Sequence, residues 1–402
     1  MFVARQPIFN KKLDVFGYEL LFRSGQKSTG FDGTSSTGAT AGVLGELFES
    51  GINSLVENKY ALINFDEDLI NSDSIELVSP DCLIIEVLET VKVDDVLVDR
   101  LRELKNKGYK IALDDFEEDY NSYPLVPLAD IIKFDIIVTP LQEIETSVNE
   151  ALAQNKIILA EKIETQEEFL QAKTMGFHLF QGFFFSKPSI AMKSSKKTTP
   201  KFQYIRLIEE LKKEEPSFQT LAEIVETDVN LAYRLIRIAS RRSEEEALYS
   251  IKKALVYMGL KEFERWVNIL MLQDFAKDKP PELMRTSLIR SKLAEAIAWQ
   301  GGLKKLRWEA AMMGLFSVLD AMLDMNMEEA LQDIALPESI VDALVHEKGS
   351  LFPVYGLILA YEKGDFPKVQ NIIGQLNLNP GVLYREYIKA IEWVAEVFGA
   401  MD

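Results

Sequence analysis

The chain has 402 residues, 45 Lys and Arg against 63 Asp and Glu, and a formal net charge of -18 at pH 7. That balance excludes general binding to a nucleic-acid polymer, where basic patches on the phosphates supply most of the affinity. Hydrophobic residues make up 47%, enough to bury the cores of two or three domains, one of which could be a barrel. No apolar run approaches the ~20 residues of a membrane span. The opening Met1–Ile8 carries no charged segment ahead of an apolar one. The expectation is a cytoplasmic protein with no membrane span. Cys82 is the sole cysteine, so no intrachain disulfide can form, and its apolar setting predicts a small buried core residue.

In chain order, Val15–Arg23 reads as a strand with one acid, Glu19, inside an apolar stretch. Residues 24–40 are rich in Gly, Ser and Thr and read as a loop, followed by a helix over 42–55. Tyr60–Phe65 is a strand carrying Asn64. Leu83–Leu88 is another, carrying Glu86, with Glu89 just beyond. The charged amphipathic stretch Val93–Lys107 predicts a helix. Tyr109–Leu113 runs straight into Asp114 and Asp115. Asp130–Asp135 carries Lys133, Lys156–Glu161 ends in an acid, and the long apolar run Phe177–Phe185 encloses Gln181.

The intervals between successive polar residues are 22 from Asn64 to Glu86, 28 to Asp114, 19 to Lys133, 28 to Glu161 and 20 to Gln181. Each fits one strand plus one crossover helix. Repeated alternation of this kind predicts an α/β fold with a parallel sheet closed into a TIM-like (β/α)8 barrel, whose site lies at the C-terminal ends of the strands. That face would gather Glu19, Glu86, Asp114, Asp115 and Glu161 with the amides of Asn64 and Gln181 and the single ammonium of Lys133.

Two adjacent carboxylates at a strand end can be a solvated loop capping a helix. Five converging carboxylates facing one lysine are another matter, because they cannot all stay ionised without cations. Oxygen-only donors select hard ions, so Mg²⁺ or Mn²⁺ is expected rather than zinc. If two ions share Asp114, the pair suits in-line attack at phosphorus. Residue type and spacing therefore point to metal-dependent phosphoryl chemistry on a barrel.

Residues 5–188 resemble an EAL domain, the cyclic-di-GMP phosphodiesterase module. Gln6-Pro-Ile8 stands where the family has its opening motif, and Glu19-Leu-Leu-Phe-Arg23 where it has EALLR. Asn64 matches the Asn ligand. Glu86-Val-Leu-Glu89, Asp114-Asp-Phe116, Ile132-Lys-Phe-Asp135, Ala160-Glu-Lys-Ile-Glu-Thr165 and Gln181-Gly-Phe183 follow in the family's order. The resemblance implies a two-ion site, with Glu19, Asn64, Glu86 and Asp114 on one ion and Asp114 and Asp115 on the other. It implies Glu161 as general base supported by Lys133. Gln181, Arg23 and Gln6 would bind substrate, Glu89 and Glu164 would support the loops, and the product would be linear pGpG. Two departures stand out: Glu117-Glu-Asp-Tyr-Asn-Ser122 replaces a Gly-rich loop, and Lys162 replaces a Gly and puts a cation beside the base.

Residues 191–200 are small, polar and basic and end in Pro200, which marks a linker over 191–202. From Gln203 the periodicity turns helical throughout. Leu221–Ser240 and Tyr249–Leu260 resemble an HDOD domain, with Asp228 and Gly259 matching its pattern and Val229 and Ser240 departing from it. The chain thus divides into a barrel at 1–190, the linker, and an all-α region at 203–402, an arrangement similar to EAL–HDOD proteins of the YuxH type. HDOD modules lack the metal site of the HD hydrolases, and Leu315-Phe-Ser-Val318 stands where such an enzyme would carry His-Asp. The helical region is therefore expected to bind a protein partner. Met312, Met313, Met322 and Met325 read as helical core, and His178 as a hydrogen-bonded core histidine. Three readings stay open: an active cyclic-di-GMP phosphodiesterase, a receptor that binds cyclic-di-GMP without turnover, and an interaction scaffold. Dimers are common in the barrel family, so a homodimer is among the implied assemblies.

Overall fold

Along a strand of a closed barrel every second side chain points inward, so residues two apart stack along the barrel axis. The computed structural model describes residues 2–23, 52–117, 120–186, 202–242, 250–276, 279–332, 334 and 336–399. In it eight strands close in sequence order. They are β1 (Phe2–Asn10), β2 (Val15–Arg23), β3 (Tyr60–Phe65), β4 (Leu83–Val87), β5 (Lys110–Leu113), β6 (Ile131–Asp135), β7 (Ile157–Glu161) and β8 (Leu179–Gln181). Strands β2 to β8 run parallel to one another. The TIM-like barrel is present, with one departure. β1, which the sequence pattern did not mark as a strand, pairs antiparallel with both β2 and β8. A tight turn joins it to β2, in which Asn10 Oδ1 accepts the Lys12 and Asp14 N–H groups, and so short a connection permits only antiparallel pairing.

Ile8, Leu62, Ile84, Ala112, Ile131, Leu159 and Leu179 form a separate apolar cluster that plugs the barrel. Their outward-facing neighbours, among them Ile63, Ile85, Ile111, Ile132, Ile158 and Phe180, pack into the larger core beneath the helices. The helix expected over Val93–Lys107 spans Asp95–Asn106, because the Asp94 side chain takes the N-cap and accepts the Leu97 N–H at 2.9 Å. It buries Leu97, Leu101 and Leu104, one stripe at helical spacing. The run Phe177–Phe185 is not one strand. β8 stops at Gln181 because Gly182 has φ +143° and its missing Cβ would collide with the carbonyl of Ile163; a 3₁₀ turn, Phe184–Ser186, follows. The loop read over 24–40 and nearly all of the linker read over 191–202 lie outside the described residues, as does the helix read over 42–55 except for Ile52–Leu55.

From Phe202 to Gly399 every described element is a helix or 3₁₀ turn, as the periodicity predicts. Helix Pro281–Gln300 is buried along most of its length. Helix Arg307–Phe316 crosses it at Gly314, where a Cβ would collide with the Arg290 carbonyl. Leu315, Phe316, Ser317 and Val318 are buried in this core, and Met313 and Met322 with them. Met312 and Met325 pack at its edge. His346 is exposed, whereas His178 is half-buried and its Nδ1 accepts the Ile158 N–H. Cys82 is half-buried rather than buried: it precedes β4 and its thiol donates to the Ser79 carbonyl at 3.4 Å. Among the described residues no helix is long and apolar enough to cross a membrane.

The helical region meets the barrel at β1. The Tyr361 hydroxyl donates to the Val3 carbonyl at 2.7 Å and accepts the Val3 N–H at 3.2 Å, and Phe2 stacks on Phe366. Below them Arg5 is buried over the Tyr18 ring and pairs with Glu57, which Arg285 also grips. Tyr18 donates to Glu282 at 3.1 Å, and burial lifts the Glu282 carboxyl to about 7. We predict that Gly314→Ala will lower the urea-unfolding free energy by ~1–3 kcal/mol, because the two helices must part to admit the methyl. Unchanged urea midpoints by circular dichroism would contradict that close crossing.

Candidate metal centre of the barrel

One step of two residues beyond each plug residue lies a polar one. Leu62 leads to Asn64, Ile84 to Glu86, Ala112 to Asp114, Ile131 to Lys133, Leu159 to Glu161 and Leu179 to Gln181. β1 runs the other way, so Ile8 leads back to Gln6. In β2 the plug position is Gly17, where a Cβ would stand 2.7 Å from the Tyr60 carbonyl, and two residues on comes Glu19. Strand periodicity alone thus stacks a polar ring on an apolar floor.

Lys133 stands at the centre of that ring, 1% exposed. Its Nζ lies 2.6 Å from Asp114, 2.8 Å from Glu86 and 3.0 Å from Glu161. The contact to Asp114 is a hydrogen bond, whereas the Glu86 oxygen is close without being aligned for one. On the other side Gln181 Nε2 donates to Glu19 at 2.6 Å and Asn64 Nδ2 donates to Glu19 at 3.1 Å. Gln181 Nε2 also donates to Gln6 at 3.2 Å. The structure therefore gathers Glu86, Asp114, Lys133 and Glu161 in one bonded group and Gln6, Glu19, Asn64 and Gln181 in another, and charge couples the two. Asp115 joins through the trio Asp114, Asp115 and Glu161, whose oxygens lie within 4.8 Å of one another. Glu19 and Glu86 stand outside that trio. Glu89 and Glu164 are exposed, three residues past Glu86 and Glu161. The Glu164 N–H donates to Glu168 in the capping turn of the next helix. Arg23 ends β2, in register with Phe2.

Electrostatics follow from burial. Loss of water raises Glu86 well above the usual carboxylate range, and the charges of Glu19 and Asp114 add to it against the pull of Lys133. Burial likewise raises Glu161 to about 8. For Lys133 burial opposes the charge, but four surrounding carboxylates outweigh it and raise the ammonium well above its ordinary value. Burial and then Asp114 raise Asp115. Five buried oxygens of the ring have no hydrogen-bond donor: Asn64 Oδ1, both of Glu86, Glu161 Oε2 and Gln181 Oε1. Unpaired buried acceptors cost ~1–3 kcal/mol each, and a hard divalent cation is the partner that all of them suit. The donor set fits a hard divalent cation.

The backbone aims two of these groups. Asp115 sits at φ +37° and Lys162 at φ +56°, in the left-handed region that favours glycine. The Lys162 ammonium pairs with Asp135 and stands 4.0 Å from Asp115, and Glu161 is among the charges that act on it, as the sequence led us to expect. Asp135, 3% exposed, had not been read as a site residue; its other oxygen accepts the Ile137 N–H at 2.8 Å. A charge that ends an apolar strand one layer beyond Lys133 was the available signal. Glu117 is exposed, and the altered loop after it lies partly outside the described residues.

Comparison with known proteins places the two halves separately. The EAL domain family model matches residues 1–188, and the HDOD domain model matches residues 198–337. Uncharacterized protein YuxH of Bacillus subtilis is 33% identical over 100% of this chain and 99% of its own length. Cyclic di-GMP phosphodiesterase CdgJ of Vibrio cholerae is 32% identical over 98% of this chain and 93% of its own. Among solved structures, PaMucR phosphodiesterase in a c-di-GMP complex is 22% identical, with a TM-score of 0.40, and covers 47% of this chain and 96% of that one.

A raised carboxyl pKa means that the folded state holds its proton more tightly than the unfolded one. The Glu161 contribution is therefore fully present below about pH 4.5 and is lost as pH climbs toward about 8. In EDTA we predict that stability falls over this window by at most ~1.4 kcal/mol per pH unit from this group. Glu161→Gln should flatten the slope, as thermal melts across the range will register. A slope unchanged by the substitution would mean that Glu161 is not the group responsible.

Proposed function

The chain belongs to the family that joins an EAL domain to an HDOD domain, and from this premise we propose that it is a metal-dependent phosphodiesterase hydrolysing cyclic-di-GMP to pGpG in the cytoplasm. The observation that carries the reading is the buried ring itself: Lys133 against Glu86, Asp114 and Glu161 at 3.0 Å or less, with five buried oxygens of the ring lacking a hydrogen-bond donor. Glu19, Asn64, Glu86 and Asp114 would hold one Mg²⁺ or Mn²⁺, and Asp114 with Asp115 the second. When bound, the ions neutralise charge on the phosphate oxygens.

The chain's own residues do the rest. Glu161 takes the proton from the attacking water, whose oxygen bonds to phosphorus as the bond to the ribose O3′ breaks. Lys133 fixes the Glu161 carboxylate by charge and distance, which is what a general base near neutral pH requires. Gln181, tethered between Glu19 and Gln6, orients a phosphate oxygen, and Arg23 and Gln6 bind the nucleotide. Glu89 and Glu164 keep the loops after β4 and β7 in place. The barrel, residues 1–190, acts as the nucleotide module. The helical part, 203–402, joined through 191–202, regulates it and docks a protein partner, in a monomer or a homodimer.

One observation favours a second reading, binding without turnover. Lys162 holds Asp135 and stands 4.0 Å from Asp115, so a resident cation competes with the second ion. A site short of that ion would still bind nucleotide, since small losses of geometry harm rate before affinity.

Incubation of the protein with cyclic-di-GMP and Mn²⁺ should yield pGpG. Glu161→Gln should lower kcat by ~10²–10⁴-fold, and Glu19→Ala should abolish turnover and weaken Mn²⁺ binding. Nucleotide binding without product would favour the second reading. No binding with either metal would sink both.

A further inference from the structure

Helix Phe352–Glu362 is followed by Lys363, Gly364 at φ +70°, and Asp365, which caps helix Phe366–Gln375. This tight turn of the helical region sits on the mouth of the barrel. The Glu362 carbonyl accepts from Gln6 Nε2 at 3.3 Å. A Cβ on Gly364 would stand 2.8 Å from Leu21 Cδ1. The Lys363 ammonium stands 5.6 Å from the centre of the Phe183 ring.

The three barrel residues so touched lie on neighbouring strands or just past them. Gln6 belongs to the polar ring, Leu21 is two residues from Glu19, and Phe183 is two from Gln181. Behind the turn, Arg290 grips both oxygens of Glu362 at 2.6–3.1 Å, and Tyr361 is bonded to Val3. A cavity of about 50 Å³, lined in part by Gln6, Phe183, Arg290 and Glu362, separates turn from barrel. That is room for water and too little for a nucleotide, so the turn is seated in place as part of the rim.

Lys363 itself is exposed, and among the described residues it makes no ion pair. A lysine held over an aromatic face beside an acid-rich mouth is placed to meet an anion that enters it. Resting on the cyclic-di-GMP reading above, we propose that Lys363 is a substrate-binding residue: the helical region completes the nucleotide pocket and its ammonium contacts the phosphate remote from the metal ions. A ligand with two phosphates has one of them away from the ions.

The test uses the full chain in the Glu161→Gln background, where turnover is suppressed, with Mn²⁺ present and cyclic-di-GMP titrated calorimetrically. Lys363→Glu should weaken nucleotide binding by at least about tenfold, the effect of losing one charge-assisted contact and adding a repulsion. Lys363→Arg, which keeps the positive charge, should bind the nucleotide more tightly than Lys363→Glu. Mn²⁺ binding without nucleotide, and the melting temperature, should be the same in all three, a pattern that a merely structural role would not give. If the parent binds and Lys363→Glu binds equally well, the proposal is overturned while the function stands. Weakening that comes only with a lower melting temperature or weaker Mn²⁺ uptake also overturns it. If the parent takes up Mn²⁺ but no cyclic dinucleotide, the functional reading falls and the role of Lys363 with it.

Discussion

A single buried ammonium among too many carboxylates is the constraint on which the barrel site depends. Lys133 touches Glu86, Asp114 and Glu161 at once, and Glu19 and Asp115 add charge that it cannot balance. The protein meets the deficit in the only ways open to it. Protons stay on Glu161 up to about 8 and on Glu86 well above the ordinary range, or divalent cations come in. This imbalance is the physical basis of the metal dependence proposed above. Replacing Lys133 would leave its neighbours buried with no counter-charge, the costliest way to break a buried ion cluster.

Much of this was legible in the sequence because two simple periods carry it. The step of two along each strand separates plug from ring, and the spacing of about one strand and one helix between polar residues sets the strand count. β1 escaped because Arg5, Gln6 and Pro7 break its apolar alternation, and because its antiparallel entry leaves no crossover helix to signal it. β8 looked longer than it is, since hydrophobicity does not report the backbone turn at Gly182. Lys162 was seen as a cation beside Glu161. Its left-handed backbone also brings the ammonium to Asp135, a partner that no spacing in the sequence marks.

The seam between barrel and helices was not legible at all. Arg5, Glu57, Glu282 and Arg285 lie far apart in the chain and follow no period that would pair them. Each reads as an ordinary surface charge within its own element. Burial makes them an interdependent set: Arg5 and Glu282 are 6% and 4% exposed, so removing one member strands the others in a medium of low dielectric. Such a set fixes one docking arrangement more firmly than it raises stability, because misaligned alternatives would bury unpaired charge.

The seam also has an unexpected address. The HDOD match ends at 337, yet Tyr361, Glu362 and Lys363, which approach β1 and the barrel mouth, all lie beyond it. The matched domain reaches the barrel mainly through helix Pro281–Gln300. That helix carries Glu282 and Arg285 to Tyr18 and Glu57 near its start, and it holds Glu362 with Arg290 in its middle. A helix is stiff over this length, so its two attachments cannot shift independently. Arg290 pairs with Glu362, whose carbonyl accepts from Gln6, which in turn accepts from Gln181, a donor to Glu19. Each link is a hydrogen bond between buried or half-buried groups, where a lost partner is costly. A run of hydrogen bonds thus reaches from this helix through Glu362, Gln6 and Gln181 to Glu19.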